Sequence, residues 1–365
     1  MIQCHQKQPG RCTMSISIDS TVKNGNQTLE SLVSFRENKD SFSFYQEANT
    51  PFMITLMSIH PDSIDTSALS VFTPESQFNI PIQGVKGRSR NSMHQHNSFE
   101  FTYVLQGTMY QIVEGKRYLY TPGSCCLMNR DTLHTEETST DFVCTFFSVS
   151  SDFIRMLTNY GNPMLFPQEQ KRFDNLIFHF LEQNTQEQHR NTKDFIDFVP
   201  RISVHEQKVL VHDIFEKMIS TLLYPYYGAT YHLQDLFFQL IDILCNEQYY
   251  QAIHVTAKKN MESLLFARIE LLLDEYHGRI SNSELAHLLN YDGTYLGKIV
   301  KKQTGQSLFD YSMNFTMKTA ADMLKNTKKS VSDIASELQF NNRTHFYKLF
   351  KNHFGVTPRE YREQL

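Results

Sequence analysis

The chain has 365 residues, 40% of them hydrophobic, with 28 Phe, 18 Tyr and no Trp. This length is too great for one ordinary core and predicts two or three domains. The formal net charge of -4 excludes a protein coated throughout with nucleic-acid-binding charge, but it allows one basic domain within an acidic total. The sequence has no apolar run long enough to span a membrane, and its first residues lack the apolar core of a secretory signal.

The six cysteines form no C-x-x-C pair, and a chain of this length does not need disulfides for stability. We therefore expect reduced thiols and a cytoplasmic protein. The adjacent Cys125 and Cys126 are expected as buried strand residues rather than as a redox pair.

Residues 1–83 are rich in Ser, Thr and Asn and predict an N-terminal extension of mixed strands and loops. Residues 84–160 alternate apolar and polar side chains in the manner of β-strands. Met109–Val113 and Lys116–Tyr120 flank a Glu-Gly pair that suits a tight hairpin turn. Several short strands closely spaced by turns predict a β-barrel or sandwich.

Between residues 161 and 257 the apolar period becomes helical, most clearly from Leu233 to Leu244. These helices either pack on the β-domain or form a dimer interface, and the sequence favours neither. The polar and basic stretch Gln251–Asn260 predicts a linker. Beyond it, residues 258–365 are predicted to be helical throughout.

The last third of the chain contains an internal repeat. Ser281–Ala286 recurs as Ser330–Ala335, and matching positions follow at an offset of 49 and then 50 residues. Each copy begins with a Ser followed three residues later by an acidic residue, which predicts a capped helix start. Two helix-turn-helix units are therefore predicted at about 280–303 and 330–352.

The second helix of each unit has an apolar side and an exposed side with Lys, Arg and hydrogen-bonding residues, as a major-groove reader requires. One basic helix would equally fit a solvated surface, but two equivalent helices favour DNA binding. Leu308–Asn326 predicts a joining helix about 28 Å long. This is close to the roughly 34 Å between successive major grooves on one face of DNA. One monomer is thus predicted to place two helices in adjacent grooves.

The second copy combines a Ser-Asp-Ile-Ala start, spaced aromatic residues and a closing Pro and Tyr-Arg pair. The positions are Ser332-Asp333-Ile334-Ala335, Phe340, Phe346, Phe350-Lys351, Phe354-Gly355, Pro358 and Tyr361-Arg362. Over about residues 262–365 the chain resembles the DNA-binding domain of the AraC/XylS family of bacterial transcription regulators. The resemblance implies binding to double-stranded promoter DNA through two recognition helices, Thr294–Lys302 and Arg343–Asn352.

The resemblance also implies roles for single residues on these helices. Candidates for base contacts are Thr294, Gly297, Lys298, Arg343, Thr344, Tyr347 and Lys348. Candidates for phosphate contacts are Lys301, Lys302 and Lys351.

Two positions depart from the family pattern. The usual Gly of the second turn is Gln339, which costs about 1 kcal/mol if its backbone is left-handed. The frequent Arg of the linker helix corresponds to Thr316, so a contact made by that Arg is not expected from this position. Gly297 has no side chain, so the first helix is expected to read fewer bases than usual.

Two short motifs in residues 84–160 resemble cupin motifs. They are His94-x-His96-x3-Glu100-x6-Gly107, and Pro122-Gly123 followed by His134. In metal-binding cupins the His and Glu positions are ligands, and such a set suits a first-row divalent metal. The alternative is a polar lining without metal, which regulators of this family commonly have, so we expect no metal and no cofactor. The effector-pocket candidates are His94, His96, Glu100, Tyr103 and His134.

We therefore expect an α+β multidomain protein with a cupin-like N-terminal β-barrel or sandwich, a middle helical dimerisation or relay segment, and an all-α DNA-binding domain. Its expected function is effector-responsive transcription regulation without catalysis. The expected partners are promoter DNA, a small-molecule effector, a second copy of the chain and RNA polymerase. One alternative is a cupin-type metalloprotein with a fused regulatory helical domain. Another is a scaffold whose basic helices bind acidic protein.

The net charge divides unevenly along the chain. From Lys258 onward there are 16 Lys and Arg against 12 Asp and Glu, a net charge of +4, which leaves -8 for the preceding residues. Because +4 is modest, DNA affinity is expected to depend on two grooves engaged at once more than on bulk charge.

Overall fold

The computed structural model describes residues 4–6, 12–14, 23–24, 27–28, 33–37, 43–60, 68–81, 93–113, 115–158, 174–186, 192–201, 208–256 and 261–363. The chain divides into two compact units, Met1–Met261 and Glu262–Leu365. The first unit combines sheets with helices, and the described part of the second is helical, which confirms the predicted α+β organisation. Across the described ranges, no helix combines the length and the apolar character that crossing a bilayer requires.

The strands of the first unit belong to two large sheets and two small hairpins. In chain order they are β1 (Cys4–Gln6), β2 (Cys12–Met14), β3 (Lys23–Asn24), β4 (Gln27–Thr28), β5 (Val33–Glu37), β6 (Ser43–Ala48), β7 (Phe52–Ile59), β8 (Ala68–Phe72), β9 (Gln77–Pro81), β10 (Met93–His96), β11 (Phe99–Gln106), β12 (Met109–Val113), β13 (Lys116–Tyr120), β14 (Cys125–Met128), β15 (His134–Thr138), β16 (Phe142–Val149), β17 (Phe195–Pro200) and β18 (Tyr250–Val255). The six-stranded sheet has the order β13-β12-β15-β10-β6-β5, and the eight-stranded sheet has the order β18-β17-β14-β11-β16-β7-β8-β9.

The two large sheets face each other, and the alternation along each strand decides which side chains lie between them. Along β11, Glu100 and Thr102 point towards the facing sheet, whereas Phe101 and Tyr103 point to the other side. The hydroxyl of Tyr120 on one sheet donates to Asp197 on the other, at 3.0 Å. The inner space of this sandwich is therefore partly polar, and its apolar core lies on the outer face of the eight-stranded sheet.

Within the described ranges, four helices contribute to that apolar core. They are α1 (Ser151–Thr158), α2 (Leu176–Thr185), α3 (Asp213–Leu223, preceded by a π-helical turn, Lys208–His212) and α4 (Ala229–Cys245). Phe237 of α4 lies with its ring centroid 6.1 Å from Phe101 and 5.9 Å from Phe147. The apolar faces of these helices thus pack on the β-domain, which was one of the two alternatives for them, because burying those faces against aromatic strand residues removes them from water.

Two strands lie where the sequence predicts none. β17 falls in the region predicted to be helical, and β18 occupies the first half of the predicted linker Gln251–Asn260. β17 pairs with β14, and β18 forms the edge beyond it. Every residue of β17 is buried, and a short, fully buried strand shows no period by which it differs from a buried helical turn.

The predicted N-terminal extension also joins the same two sheets. β6 pairs in parallel with β10, and β7 pairs with β16. Residues before 84 therefore supply strands to the cupin-like sandwich itself. Their short apolar runs, interrupted by Ser and Thr, did not indicate which partners they would pair with.

The second unit consists of seven helices in its described residues. They are α5 (Met261–Glu275), α6 (Asn282–Leu289), α7 (Gly293–Thr304), α8 (Leu308–Asn326), α9 (Val331–Glu337), α10 (Arg343–Phe354) and α11 (Pro358–Glu363). Both predicted capping boxes are present, from Ser281 with Glu284 and from Ser330 with Asp333. The joining helix α8 begins and ends at the predicted residues.

Each helix-turn-helix turn contains one residue with a left-handed backbone, and the two residues occupy equivalent positions. Asn290 has φ 56° in the first turn, and Gln339 has φ 58° in the second. The carbonyl oxygen of Gln339 accepts a hydrogen bond from the Arg279 guanidinium at 2.7 Å. Thr316, at the family's Arg position, is fully buried and its hydroxyl donates to the carbonyl oxygen of His277 at 2.9 Å, so this residue holds the unit together internally.

Candidate DNA interface and effector site

The helices α7 and α10 are each oriented by an N-terminal cap and an apolar face. The Asp292 carboxylate accepts a hydrogen bond from the backbone N–H of Tyr295 at 3.0 Å, and Asn342 caps α10 in the same way. Leu296 and Val300 of α7 are fully buried. Because one side of each helix is held in the core, the opposite side is presented to solvent in a defined orientation.

The structure places nearly all predicted DNA-contacting residues on those solvent-facing sides. The exposed residues are Thr294, Lys298, Lys301 and Lys302 on α7, and Arg343, Thr344, Tyr347, Lys348 and Lys351 on α10. Gly297 is half-buried, and a Cβ placed on it would meet no heavy atom within 4 Å. The space for a longer side chain on this face of α7 is therefore open, although the sequence supplies none.

One of the phosphate candidates has a partner within the protein. The ammonium of Lys302 lies 2.5 Å from the carboxylate of Glu262 on α5, and this contact raises the pKa of Lys302. Both side chains are exposed, so water and salt screen the pair. Lys302 remains charged, but the nearby Glu262 carboxylate offsets part of its positive charge.

The second candidate site is a cluster of His and Glu side chains inside the sandwich. His94 and His96 lie on β10 of the six-stranded sheet, and Glu100 lies on β11 of the eight-stranded sheet. His94, His96 and Glu100 share parity in the sequence, which predicts one face of a single strand. This prediction is wrong about the strand, because the chain passes from one sheet to the other at Asn97 and Ser98, but the three side chains still meet.

The cluster is compact and buried. The Nε2 atom of His96 lies 3.7 Å from Glu100 Oε2, and the Nε2 atom of His134 lies 3.9 Å from Glu100 Oε1. The rings of His94 and His134 have their centroids 4.2 Å apart. His96 and His134 are at most 1% exposed and Glu100 is 7% exposed. The structure therefore brings together four of the five predicted effector-pocket residues.

Backbone carbonyls orient the two buried histidines. The Nδ1 atom of His96 donates to the carbonyl oxygen of Ser98, and that of His134 donates to the carbonyl oxygen of Thr132, each at 2.8 Å. In the neutral form of each ring, this arrangement puts the proton on Nδ1 and directs the Nε2 lone pair into the cluster. For His96, burial opposes the charged form, but the neighbouring Glu100 outweighs it and raises the pKa of this ring.

Glu136 belongs to the cluster and was missed in the sequence. Its Oε1 atom lies 3.6 Å from His134 Nε2 and accepts a hydrogen bond from the Gln111 side chain at 3.2 Å. The signal was available, because Glu136 follows His134 by two residues on one strand and must share its face. The cupin motif includes only the His of this strand, so the motif alone does not indicate Glu136.

Tyr103, the fifth predicted pocket residue, is not brought to the cluster. Its ring lies on the opposite face of β11, with its centroid 5.9 Å from that of Phe215 in the apolar core. The reason is the period of the strand, since residues 100 and 103 differ by an odd number and face opposite sides.

Burial and mutual charge set the protonation of the cluster. Burial lowers the pKa of His134 to about 4, with His94 acting in the same direction. Burial raises the pKa of Glu136 to about 7, against the opposing effect of His134. Burial also disfavours the charged form of Glu100, but His96 and the other two rings outweigh it and lower its pKa to about 2. Near neutral pH the cluster therefore holds at least one buried carboxylate.

In metal-binding cupins these positions are ligands, and the donor set found here fits a metal ion, although the sequence favours a polar lining without one. His96 Nε2, Glu100 Oε1 and His134 Nε2 are buried and have no hydrogen-bond partner among the described residues. Two donors that each lie about 2.1 Å from one ion are about 3.0 to 4.2 Å apart, and the separations from His134 and His96 to Glu100 fall in that range. His94, His96, Glu100 and His134 would hold the ion, which would supply a positive charge and a Lewis-acidic position for an effector oxygen.

Comparisons with known proteins agree with both domain types. A Helix-turn-helix domain model matches residues 285–364, and a Cupin domain model matches residues 82–150. RhaS of Klebsiella pneumoniae, an HTH-type transcriptional activator, is 25% identical over 273 residues, which cover 74% of this chain and 87% of that protein.

Two further relatives match over the C-terminal region. The Msm operon regulatory protein of Streptococcus mutans is 30% identical over 96 residues, 26% of this chain and 34% of that protein. The uncharacterized HTH-type transcriptional regulator YtdP of Bacillus subtilis is 33% identical over 96 residues, 26% of this chain and 12% of that protein. The chain therefore spans only a minor part of the length of these two relatives. The matches support a DNA-binding regulator over the metalloprotein alternative, and the chain is homologous to RhaS and other AraC-family regulators, with an AraC-type helix-turn-helix domain and a cupin domain.

Proposed function

We propose that this protein is a sequence-specific transcription regulator that inserts α7 and α10 into successive major grooves of a promoter. The observation that supports this most strongly is the repeat itself. Two helices with equivalent caps and buried faces present Thr, Lys, Arg and Tyr side chains to solvent, separated by a 19-residue helix. A solvated surface needs neither the duplication nor the matched orientation.

The two helices contribute unequally in this proposal. On α10, Arg343 and Lys348 supply donors for guanine, and Thr344 and Tyr347 supply hydroxyl groups. On α7, Thr294 and Lys298 are the base readers, and Gly297 brings the backbone close without reading. Lys301, Lys302 and Lys351 contact phosphates.

The sandwich is proposed as the effector-binding part of the regulator. The buried His and Glu cluster binds the effector, and the chain acts in the cytoplasm as a homodimer that contacts RNA polymerase. Binding rather than turnover is the proposed role of the cluster. An effector can shift the equilibrium between two arrangements of the regulator only by the difference between its affinities for them.

The test uses the full chain and a DNA library with randomised positions, from which the wild-type protein selects its site. We expect Arg343→Ala and Lys348→Ala each to lose about 1–3 kcal/mol of binding free energy and to relax sequence preference at one position. Lys351→Ala is expected to weaken all DNA sequences alike and to reduce the slope of log affinity against log salt. Fluorescence anisotropy with labelled duplexes measures all three.

Arg359→Ala serves as the matched control. Arg359 is exposed on α11 and pairs with Glu363 at 3.0 Å, outside both recognition helices. Its loss removes one positive charge from the same unit and should leave sequence preference unchanged. If no sequence is enriched by the wild-type protein, the scaffold alternative replaces the regulator. If Arg343→Ala and Lys348→Ala keep full preference, α10 is not the base reader.

A further inference from the structure

Glu136 is a buried carboxylate beside the cupin-type donor set, at a position outside both cupin motifs. It is 5% exposed, and its Oε1 atom lies 3.6 Å from His134 Nε2. This separation is too long for a good hydrogen bond. It falls within the range of about 3.0 to 4.2 Å expected for two donors that share one ion.

Two groups of three donors meet at one histidine. The ligand atoms of His94, His134 and Glu136 lie within 4.8 Å of one another, and so do those of His96, Glu100 and His134. His134 is common to both groups and its Nε2 lone pair is directed between them. An ion bound to that nitrogen is therefore within reach of both carboxylates.

The charge balance of the cluster favours a cation. Within the described residues, the side chains around Glu100 and Glu136 include the three histidines, Gln111, Cys126 and Cys144, none of which is permanently charged. A carboxylate buried without a fixed positive charge beside it is costly. A divalent ion would neutralise both carboxylates, and imidazole with carboxylate ligands suits first-row transition metals.

We propose that Glu136 is a ligand of a divalent first-row transition metal, in addition to the four positions that the cupin resemblance implies. The ion then has three nitrogen donors and two carboxylate donors, which leaves one position open in an octahedral arrangement. The Gln111 side chain donates to Glu136 at 3.2 Å and orients this fifth ligand from outside the coordination sphere. The inference does not depend on DNA binding.

The experiment loads the full chain with cobalt(II) after treatment with a chelator. The wild-type protein is expected to bind one cobalt per chain, and X-ray absorption is expected to count five protein donors. Glu136→Gln keeps the size of the side chain but is a poor ligand. We expect it to bind cobalt more weakly by at least the roughly 10- to 100-fold that the loss of an outer-shell partner costs. We also expect a more intense visible spectrum, because the ion loses a ligand.

Glu137→Gln is the matched control, because this neighbouring carboxylate accepts from Arg117 at 2.7 Å on the other face of the strand. It should leave stoichiometry, affinity and spectrum unchanged. Binding of less than about 0.1 cobalt per wild-type chain contradicts the proposed metal site. If Glu136→Gln binds cobalt more weakly but keeps the wild-type spectrum, Glu136 is not a ligand and acts only from outside the coordination sphere. If Glu136→Gln fails to fold, the donor count of the wild-type complex decides, and four protein donors contradict the proposal. None of these results alters the DNA selection test, so failure here is distinguishable from failure of the regulator.

Discussion

At the scale of single residues, Gln339 shows how a departure from a family pattern is accommodated. Its backbone has φ 58°, a conformation that favours Gly or Asn, while its side chain is exposed and its carbonyl oxygen is held by Arg279. The turn is thus imposed by the packing of α9 and α10 and not by the preference of the residue within it.

Gln339→Gly is expected to raise the free energy of unfolding by about 0.5–1 kcal/mol, because relief of the left-handed strain exceeds the entropy that glycine adds to the unfolded chain. Gln303→Gly is the matched control, since Gln303 is exposed on α7 with an ordinary helical backbone and its replacement should cost about 1 kcal/mol. Urea unfolding followed by far-UV circular dichroism measures both. Equal losses in the two variants would contradict a strained turn.

The sequence could predict that Gln339 departs from the pattern, but not that Arg279 compensates. Sixty positions separate the two residues, and no period or motif links them. Thr316 is similar, since its hydroxyl replaces an arginine contact by an internal hydrogen bond that only the fold reveals. By contrast, Glu136 was predictable, because the two-residue period of a strand places its side chain on the same face as that of His134.

At the scale of elements, a buried polar network joins the end of β14, the end of α2 and the strands β17 and β18. Asp194 accepts hydrogen bonds from Asn129 at 2.8 Å and Thr192 at 2.6 Å, and lies 2.9 Å from His254 Nε2. Burial disfavours the charged form of Asp194, but the hydrogen bonds from His254, Thr192 and Asn129 prevail and lower its pKa. This network attaches the edge strands to the rest of the sandwich.

Asp194→Asn is expected to lower the free energy of unfolding at pH 7 by about 1.5–3 kcal/mol, since hydrogen bonds to a buried charge are lost. The pKa of Asp194 is depressed in the folded state, so its stabilisation is present above the unfolded value of 3.8 and is lost as the pH falls through the lower folded value. Denaturant unfolding at pH 7, 5 and 3.5 should therefore show the difference from wild type shrinking at the lowest pH.

Asp174→Asn provides the control for that measurement. Asp174 lies 2.9 Å from His179 Nε2, the same separation, but both side chains are largely exposed. An exposed pair contributes at most about 1 kcal/mol, and often nothing measurable. A loss in Asp174→Asn as large as in Asp194→Asn would show that burial is not the cause.

The elements differ in how well the sequence predicts them. The helices of the second unit repeat a pattern, carry their own caps and were placed nearly to the residue, as α8 shows. β17 and β18 have no such local signal, because their stability comes from pairing with β14 and with each other across more than fifty positions of the chain.

At the scale of the whole molecule, the domain classes and the two helix-turn-helix units could be predicted from the sequence, whereas the assignment of strands to the two sheets of the sandwich could not. Repeats and amphipathic periods are local, but strand partners such as β6 with β10 are set by long-range pairing. The His and Glu cluster was partly predicted because a motif names its members. Its exact membership depends on which sheet each strand joins.

The length of α8 leads to a prediction about the whole binding site. Nineteen residues span about 28 Å, which matches successive major grooves on one face of the duplex. Inserting five base pairs between the two half-sites of the selected DNA turns one of them to the opposite face. We expect affinity to fall by about 10²- to 10⁴-fold, because only one helix can then engage.

The control replaces five base pairs between the half-sites without changing their number, and should bind like the original. Fluorescence anisotropy at a fixed salt concentration compares the three duplexes. Equal binding to the insertion would mean that the two helices engage DNA independently or that only one reads it.

The loop between α5 and α6 contacts both α8 and the second repeat, which limits the exchange of one repeat for that of a relative. Gly278 has φ 72°, and a Cβ there would lie 2.0 Å from the Ser312 carbonyl oxygen of α8. Next to it, the Arg279 guanidinium lies 4.6 Å from the centre of the Phe340 ring in the second repeat. A chimaera that takes its first helix-turn-helix unit from a relative must therefore import matching surfaces on α8 and on the second turn. The two halves of the repeat are duplicated in sequence, but they are not interchangeable modules.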